Sequence, residues 1–226
     1  MKYSIIIPSL TKTQEHLGVL LECIDSVNKH SVGSELILVD DGSINGLSAI
    51  EGVTKYIKHD QNKGIAPSWN DGIKASTGEY VVVINDDIKV PWGWLQGLRV
   101  ALKDGLEVVG PGVSHQNASE GIIESYKWFP GYCFMMKRST FDTIGEFDEQ
   151  FTPFNYEDTD YWTRVLKAGG KLKRNFDVQI DHKEGDVLHT LDYEGVSKVN
   201  KEKFIKKWGF DPIPVFYGNE DFDFTT

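Results

Sequence analysis

The chain has 226 residues, of which 40% are hydrophobic and 12% aromatic, enough apolar surface to build a packed core. Lys and Arg total 24 against 34 Asp and Glu, so the formal net charge is −10. This charge argues against nucleic acid as the main partner, because phosphate-binding proteins carry a broad basic face. It is compatible with carboxylates gathered around a divalent cation.

The first half of the chain alternates short apolar runs with helical patterns. In chain order, we predict strands at 5–7, 36–39, 55–57, 80–84 and from 107, and helices over about 14–29, 47–51, 67–76 and 94–103. Continuously apolar strands are buried on both faces, which predicts an α/β fold with a mostly parallel central sheet flanked by helices. In such sheets ligands bind beyond the carboxyl ends of the strands.

The rhythm changes after about residue 111. We predict strands at 122–126, 132–136 and 177–182, a helix over 155–167 capped by Asn155, and a basic amphipathic helix ending near Trp208. No repeat or linker divides the chain, so we expect a single domain over 1–226. Its nucleotide-binding half is 1–110, and its acceptor-side half, 111–226, includes the C-terminal helix and an acidic tail.

The cysteines and the N-terminus bear on the compartment. Cys23 and Cys133 are far apart in sequence; one disulfide is possible, but two buried thiols are the simpler interpretation. The apolar run at 5–7 is too short for a signal peptide or a membrane span. We therefore expect a cytoplasmic protein without a membrane span.

Polar residues follow three of the predicted strands. Ser9 follows the first, Asp40-Asp41 the second, and Asn85-Asp86-Asp87 the strand at 80–84. Adjacent carboxylates repel each other unless a positive charge is shared, and a divalent cation bridging to phosphates would supply it. Both acidic pairs can equally be solvated turns, since Asp and Asn favour turns.

A third acidic pair, Glu157-Asp158, opens the predicted helix at 155–167. The helix dipole alone would favour acids there. However, residues 139–163 contain seven acids and no Lys or Arg, and their repulsion would be costly without a cation. His182 is either a metal ligand or an ordinary polar residue, and the lysines of the C-terminal helix either form a solvated face or contact anionic headgroups or a phosphorylated acceptor.

Seven short motifs occur in an order that is typical of one enzyme family. They are Ile5-Ile6-Ile7-Pro8-Ser9, Val39-Asp40-Asp41-Gly42-Ser43, Asn62-Lys63-Gly64 with Asn70-Asp71-Gly72-Ile73, Thr77-Gly78-Glu79-Tyr80, Asn85-Asp86-Asp87, Gly145-Glu146-Phe147-Asp148-Glu149 and Glu157-Asp158-Thr159-Asp160. Together they resemble the family 2 glycosyltransferases, over roughly residues 3–182. The resemblance implies the GT-A nucleotide-diphosphosugar transferase fold.

The resemblance also implies roles for individual residues. Asp158 matches the catalytic base, and Asp87 with His182 would hold Mn²⁺ or Mg²⁺. The donor would contact Pro8, Ser9, Asp40, Asp41, Lys63, Asn70, Asn85 and Asp86. Two positions depart from the usual pattern: Asn85 replaces the first Asp of the Asp-x-Asp element, and Trp69 stands where an Arg often precedes Asn70.

The implied reaction moves a sugar from a nucleoside-diphosphate sugar, UDP-linked by expectation, to an acceptor hydroxyl with inversion. The acceptor would be a glycan, a lipid-linked molecule or a small molecule. Two alternatives remain open. One is a sugar-nucleotide nucleotidyltransferase, which would usually need a Gly- and Lys/Arg-rich loop near the first strand. The other is a catalytically silent module that binds nucleotide sugars or glycans.

Overall fold

The computed structural model describes residues 2–44, 47, 50–113, 121–183, 192–217 and 224, with the side chains of 113, 123–126 and 217 not described. The strands are β1 (Tyr3–Ser9), β2 (Glu35–Asp40), β3 (Lys55–Lys58), β4 (Tyr80–Ile84), β5 (Ile88–Lys89), β6 (Glu107–Val113), β7 (Ile122–Tyr126), β8 (Cys133–Lys137) and β9 (Lys171–His182). The helices are α1 (Gln14–His30), α2 (Ile65–Ala75), α3 (Trp94–Ala101), α4 (Arg138–Ile144), α5 (Glu157–Lys167) and α6 (Tyr193–Trp208), and a π-helical turn covers Ile213–Tyr217. Of the helix predicted at 47–51, residues 47, 50 and 51 are described and are not helical, whereas 48 and 49 and the acidic tail at 220–223 lie outside the described residues.

The first half of the chain builds the parallel part of the sheet, in the order β3-β2-β1-β4. Alternate residues of β1 enter opposite core layers: Ile5 and Ile7 pack in one cluster, and Ile6 packs in the other. Side chains on a strand alternate between its two faces, so a strand covered on both sides is apolar throughout. This is why the apolar runs predicted these strands well.

The second half adds antiparallel strands, so the whole sheet is mixed rather than mostly parallel. β8 lies between β4 and β6 and is antiparallel to both. β9 is parallel to β6 and antiparallel to β5 and β7. The prediction of an α/β fold with flanking helices is confirmed. The division of a single domain at 110/111 stays a prediction.

β9 brings His182, from the second half of the chain, to the sheet edge where the strands of the first half end. Its last residues pair with β5, placing His182 opposite Ile88, directly after Asp87. The backbone N–H of Lys183 donates to the carbonyl of Asp87 at 3.1 Å and extends this contact. The two-residue strand β5 was not predicted, because a pair this short has no periodicity.

Two further observations concern the cysteine thiols and the hydrophobicity of the helices. Cys23 and Cys133 are both buried as free thiols. Among the described residues, no helix is long and apolar enough to cross a membrane.

Candidate active site at the sheet edge

The carboxyl ends of β1 and β4 meet as the parallel register requires. The Ser9 hydroxyl donates to Asp86 Oδ2 at 2.5 Å. Burial raises the pKa of Asp86 to about 6; the bond from Ser9 opposes this rise, and the neighbouring charge of Asp87 adds to it. Two of the residues predicted for the donor site are therefore in direct contact.

Asp40 and Asp41 point into different hydrogen-bond networks. Asp40 is fully buried and accepts from the backbone N–H of Ser43 at 2.8 Å and from the Tyr56 hydroxyl at 2.5 Å. These bonds close the turn that follows β2. The carboxylate of Asp40 is thus occupied by groups of the protein itself.

Asp41 organises the segment that follows β3. Its carboxylate accepts from the backbone N–H groups of Lys63, at 2.8 Å, and Gly64, at 2.9 Å. It also lies 2.7 Å from His59 Nδ1, while His59 Nε2 lies 3.1 Å from Asp71. The buried His59 ring therefore ties the loop after β2 to helix α2.

Sequence reasoning missed His59, although it follows the last residue of β3 at the same edge as the predicted site. The available signal was this position one residue past the strand. It went unnoticed because β3 is short and only partly buried.

Lys63 and Asn70 have different environments. Lys63 is about half exposed, and its ammonium lies 3.8 Å from Asp71. Asn70 is fully buried; its amide donates to the carbonyl of Phe147 at 2.9 Å and accepts from the Phe147 N–H at 2.8 Å. It also donates to Glu149 at 3.0 Å. Asn70 thus holds the segment after α4 against α2, and its contact with the donor stays a prediction.

Trp69 belongs to the core. Its ring packs edge-on against Phe134 and Phe147, at centroid distances of 5.3 and 4.9 Å. The position where relatives often carry an Arg is therefore buried here and offers no charge to a diphosphate.

Asp87 and His182 form the pair that was predicted to bind metal. Asp87 Oδ1 lies 3.2 Å from His182 Nε2, yet this buried oxygen has no hydrogen-bond partner. The His182 ring stacks on Tyr132 at a centroid distance of 4.6 Å, which holds its orientation. A buried acceptor with no donor, beside an imidazole nitrogen, suits a divalent cation held by one oxygen and one nitrogen.

In the part of the chain that the structure describes, this pair does not belong to a larger cluster of possible metal ligands. Among the described residues, no three His, Cys, Asp or Glu side chains converge on one point. A cation bound here would take its remaining ligands from phosphate oxygens and water, as magnesium-like ions usually do.

Asn85 is held in place through its backbone. Its N–H donates to the carbonyl of Tyr132 at 2.8 Å, and its carbonyl accepts from Cys23 Sγ at 3.6 Å. These contacts fix the start of the Asn85-Asp86-Asp87 segment against α1 and against the residue that precedes β8.

Asp158 lies in the first turn of α5, where three hydrogen bonds hold its carboxylate. The Gly131 N–H donates to Oδ2 at 2.9 Å, and the Thr159 N–H and hydroxyl donate to Oδ1 at 2.5 and 3.0 Å. Burial raises the pKa of Asp158, and these donors oppose the rise. The side chain at position 131 must be absent, because a Cβ there would lie 3.0 Å from Asp158 Cβ and 2.9 Å from Trp69.

The helix that carries Asp158 begins later than predicted. Asn155 and Tyr156 have positive φ angles of 69° and 75°, and Tyr156 is the N-cap without a side-chain bond. Asn155 is therefore not the cap. Left-handed backbone at two successive non-glycine residues is uncommon and needs support from the surrounding structure.

The predicted need for a cation among the acids of 139–163 is met largely by the protein's own side chains. Lys207 lies 2.6 Å from Asp160 and 2.7 Å from Asp148. Arg164 also pairs with Asp160 at 3.0 Å, and the contact between Lys74 and Glu146 is 3.2 Å. These Lys and Arg residues all lie outside 139–163, so the composition of that stretch alone overstated the repulsion among its acids.

The family is decided by a sequence comparison. The model of glycosyl transferase family 2 matches residues 4–162. The chain belongs to this family. The matched range includes all the proposed site residues except His182.

Curated relatives are distant and longer. The chain is 24% identical over 169 residues to a pre-mycofactocin glycosyltransferase of Mycobacterium tuberculosis, covering 62% of this chain and 36% of that protein. It is 28% identical over 135 residues to the glycosyltransferase GlyG of Streptococcus pneumoniae, covering 55% and 44% respectively. The chain thus matches less than half the length of these two relatives.

Solved structures confirm the GT-A fold. S. aureus TarS 1-349 in complex with UDP-GlcNAc superposes with a TM-score of 0.67 at 15% identity, covering 91% of this chain and 67% of that one. GalNAc-T7 with UDP, GalNAc and Mn²⁺ superposes with a TM-score of 0.68 at 15% identity, covering 96% and 58%. At these identities the similarity establishes the fold.

Proposed function

We propose that this chain is an inverting, metal-dependent glycosyltransferase that uses a UDP-linked sugar as donor. Support comes from the family, from the fold shared with proteins bound to UDP or UDP-GlcNAc, and from the Mn²⁺ in GalNAc-T7. The observation that carries the proposal is one short loop that joins two candidate sites. Gly131 donates to Asp158, and the next residue, Tyr132, stacks on His182 beside Asp87.

Donor binding is assigned to the strand-end residues. Ser9, Asp86 and Asn85 lie along the edge, with Pro8 buried at the end of β1, and the loop held by Asp41 presents the side chain of Lys63. Asp40 contributes by closing the turn after β2 rather than through a free carboxylate. Asp87 and His182 would hold the divalent cation, which when bound stabilises the charge that develops on the leaving diphosphate.

Asp158 acts as the general base in this proposal. It accepts the proton of the acceptor hydroxyl while that oxygen attacks the anomeric carbon from the face opposite the diphosphate, which gives inversion. The raised pKa of Asp158 makes it a stronger base than an ordinary Asp side chain. The three donors keep its carboxylate in one orientation.

The test is a panel of nucleotide sugars incubated with Mn²⁺, Mg²⁺ or EDTA, with released nucleoside diphosphate as the readout. We expect release from at least one UDP-sugar, with loss in EDTA. Slow hydrolysis by water makes the assay independent of the acceptor. Binding of UDP without release from any donor would instead indicate a silent binding module, and pyrophosphate-dependent formation of UTP would indicate a nucleotidyltransferase.

A further inference from the structure

The two neighbouring carboxyl groups at the start of α5 are buried but unequally bonded. Asp158 accepts three hydrogen bonds, two from backbone N–H groups and one from a hydroxyl. Glu157 is 7% exposed, and its Oε2 has no hydrogen-bond partner. Asp158 therefore receives three donors, whereas one buried oxygen of Glu157 receives none.

Unequal bonding determines where a proton resides in such a pair. Two adjacent carboxylates in a buried site cannot both ionise cheaply, because each is desolvated and repels the other. Hydrogen bonds from N–H and O–H groups stabilise the charged form of the carboxyl that receives them. An orphaned carboxylate oxygen is costly when charged, whereas a protonated carboxyl carries no net charge.

We propose that Glu157 holds a proton at neutral pH, so that the pair carries a single negative charge located on Asp158. The part of Asp158 as base rests on the proposed function, whereas the position of the proton does not. During transfer, the hydroxyl proton of the acceptor passes to Asp158 and Glu157 keeps its own. Glu157 is thus a positioning residue: its neutrality keeps Asp158 ionised in a buried site.

The pKa values point in the same direction. Burial and then repulsion from Asp158 raise the pKa of Glu157 well above its ordinary value, opposed by a bond from its own backbone N–H. Burial also raises the pKa of the Tyr156 phenol, and the negative charges of Asp211 and Asp158 raise it further. Asp160, in the same first turn of α5, is paired with Arg164 and Lys207, so its charge is compensated.

The direct test locates the proton without an activity assay. The 226-residue chain, labelled with ¹³C at the Glu side-chain carboxyl, is titrated by NMR, and Glu157→Gln assigns the resonance. Infrared difference spectra at pH 7 compare wild type with Glu157→Gln, Asp158→Asn and the exposed control Glu146→Gln. We expect Glu157→Gln to remove a protonated carboxyl band and the other two variants to remove ionised carboxylate bands. An ionised Glu157 at pH 7, or a protonated Asp158, would overturn the proposal.

A kinetic test separates this proposal from the proposed function. With the UDP-sugar that the wild type hydrolyses, Glu157→Gln should keep the acid limb of the pH profile, because Gln replaces a group that is already neutral. If Glu157 were charged, removing that charge would lower the pKa of Asp158 and shift the acid limb to lower pH by about one unit or more. Asp158→Asn should lower the rate at least about 10²-fold. Absence of UDP release in wild type would contradict the proposed function but leave the NMR result to decide the proton.

Discussion

At the scale of single residues, the site is a set of carboxylates whose environments differ sharply. Asp40 and Asp41 accept hydrogen bonds from the turn after β2, from β3 and from the segment after β3, whereas Asp87 has a buried oxygen with no hydrogen-bond partner. The first two carboxylates shape the turns after β2 and β3. The third lies beside an imidazole, where a cation would complete it.

Asp87→Ala should abolish metal-dependent binding of UDP, because it removes the oxygen ligand next to His182. Isothermal titration calorimetry with UDP, in Mn²⁺ and in EDTA, measures this. Asp104→Ala is the matched control, since it removes an exposed carboxylate that pairs with Lys137. UDP affinity and metal dependence equal to wild type in Asp87→Ala would remove the metal assignment.

Glu35 gives a residue-scale prediction about acid stability. It is buried at the start of β2, where Ser4, the Thr77 N–H and Lys55 bond its carboxylate. Burial raises its pKa, but these bonds outweigh burial and lower the pKa to about 2, from an ordinary value of 4.5. A depressed pKa in the folded state stabilises the protein above the unfolded value, and this stabilisation is lost as the pH falls from about 4.5 towards 2.

Glu35→Gln should therefore be less stable than wild type at pH 6, with the difference shrinking as the pH approaches 3. Urea unfolding at both pH values measures the two free energies. The exposed control Glu146→Gln should show a smaller change over the same range. A constant difference between Glu35→Gln and wild type would show that the charge of Glu35 contributes nothing.

At the scale of elements, helix α6 braces the segment that carries the proposed base. Asn200 is fully buried, and its amide donates to the carbonyls of Phe154, at 2.8 Å, and Asn155, at 3.1 Å. Lys207 and Trp208 both contact Asp160 from the other end of the helix. The family model ends at residue 162, so this support for the left-handed turn before α5 comes from outside the matched range.

Asn200→Asp should loosen this brace, because a carboxylate cannot donate to the two carbonyls and would repel them. Leaving buried carbonyls unsatisfied costs about 1–3 kcal/mol each, so thermal stability should fall. The rate of UDP release from a UDP-sugar should fall by a larger factor than the affinity for UDP. Lys206→Met on the exposed face of α6 is the control, and equal effects on release and affinity would argue against a role in placing Asp158.

The lysines of α6 make several contacts within the protein, which bear on the two interpretations of this basic helix. Lys201, Lys203 and Lys207 bond to Asp211, the carbonyl of Gln150 and Asp148, respectively. Much of the positive charge of α6 is thus directed at the protein itself. Less of this charge is then available to anionic headgroups or a phosphorylated acceptor, and the choice between a solvated face and such a contact stays a prediction.

At the scale of the whole molecule, the net charge of −10 is distributed unevenly. Acids meet at the sheet edge because parallel strands end there, and β9 brings His182 to the same edge. A ligand that supplies both the cation and the diphosphate should stabilise the folded state as a whole, since binding to the native state alone shifts the unfolding equilibrium.

UDP with Mn²⁺ should raise the melting temperature, whereas UDP with EDTA should raise it much less. Saturation at 100 times the dissociation constant contributes about 2.7 kcal/mol. For a domain of this size, each kcal/mol shifts the melting temperature by about 2–4 °C. Differential scanning calorimetry measures the shift, and an equal rise in EDTA would contradict metal-dependent binding.

Much of the fold could be predicted from local pattern. The strand at Tyr80–Ile84 and the start of α1 at Gln14 match the prediction, because a doubly covered strand is apolar throughout and an amphipathic helix is periodic. The short α4 and the two-residue β5 lack such periodicity. The antiparallel half of the sheet also went unpredicted, since pairing direction depends on contacts between distant segments.

The sequence by itself determined the buried parallel strands, the acidic pairs that end them and the order of motifs that identifies the family. Only the tertiary structure decided which carboxylates are occupied and which are not. Asp41 is held by His59, and Asp160 by Lys207, through contacts that span 18 and 47 positions of the chain. Hydrogen bonds and ion pairs of this kind form only when the packed elements bring their partners together, so no local pattern encodes them.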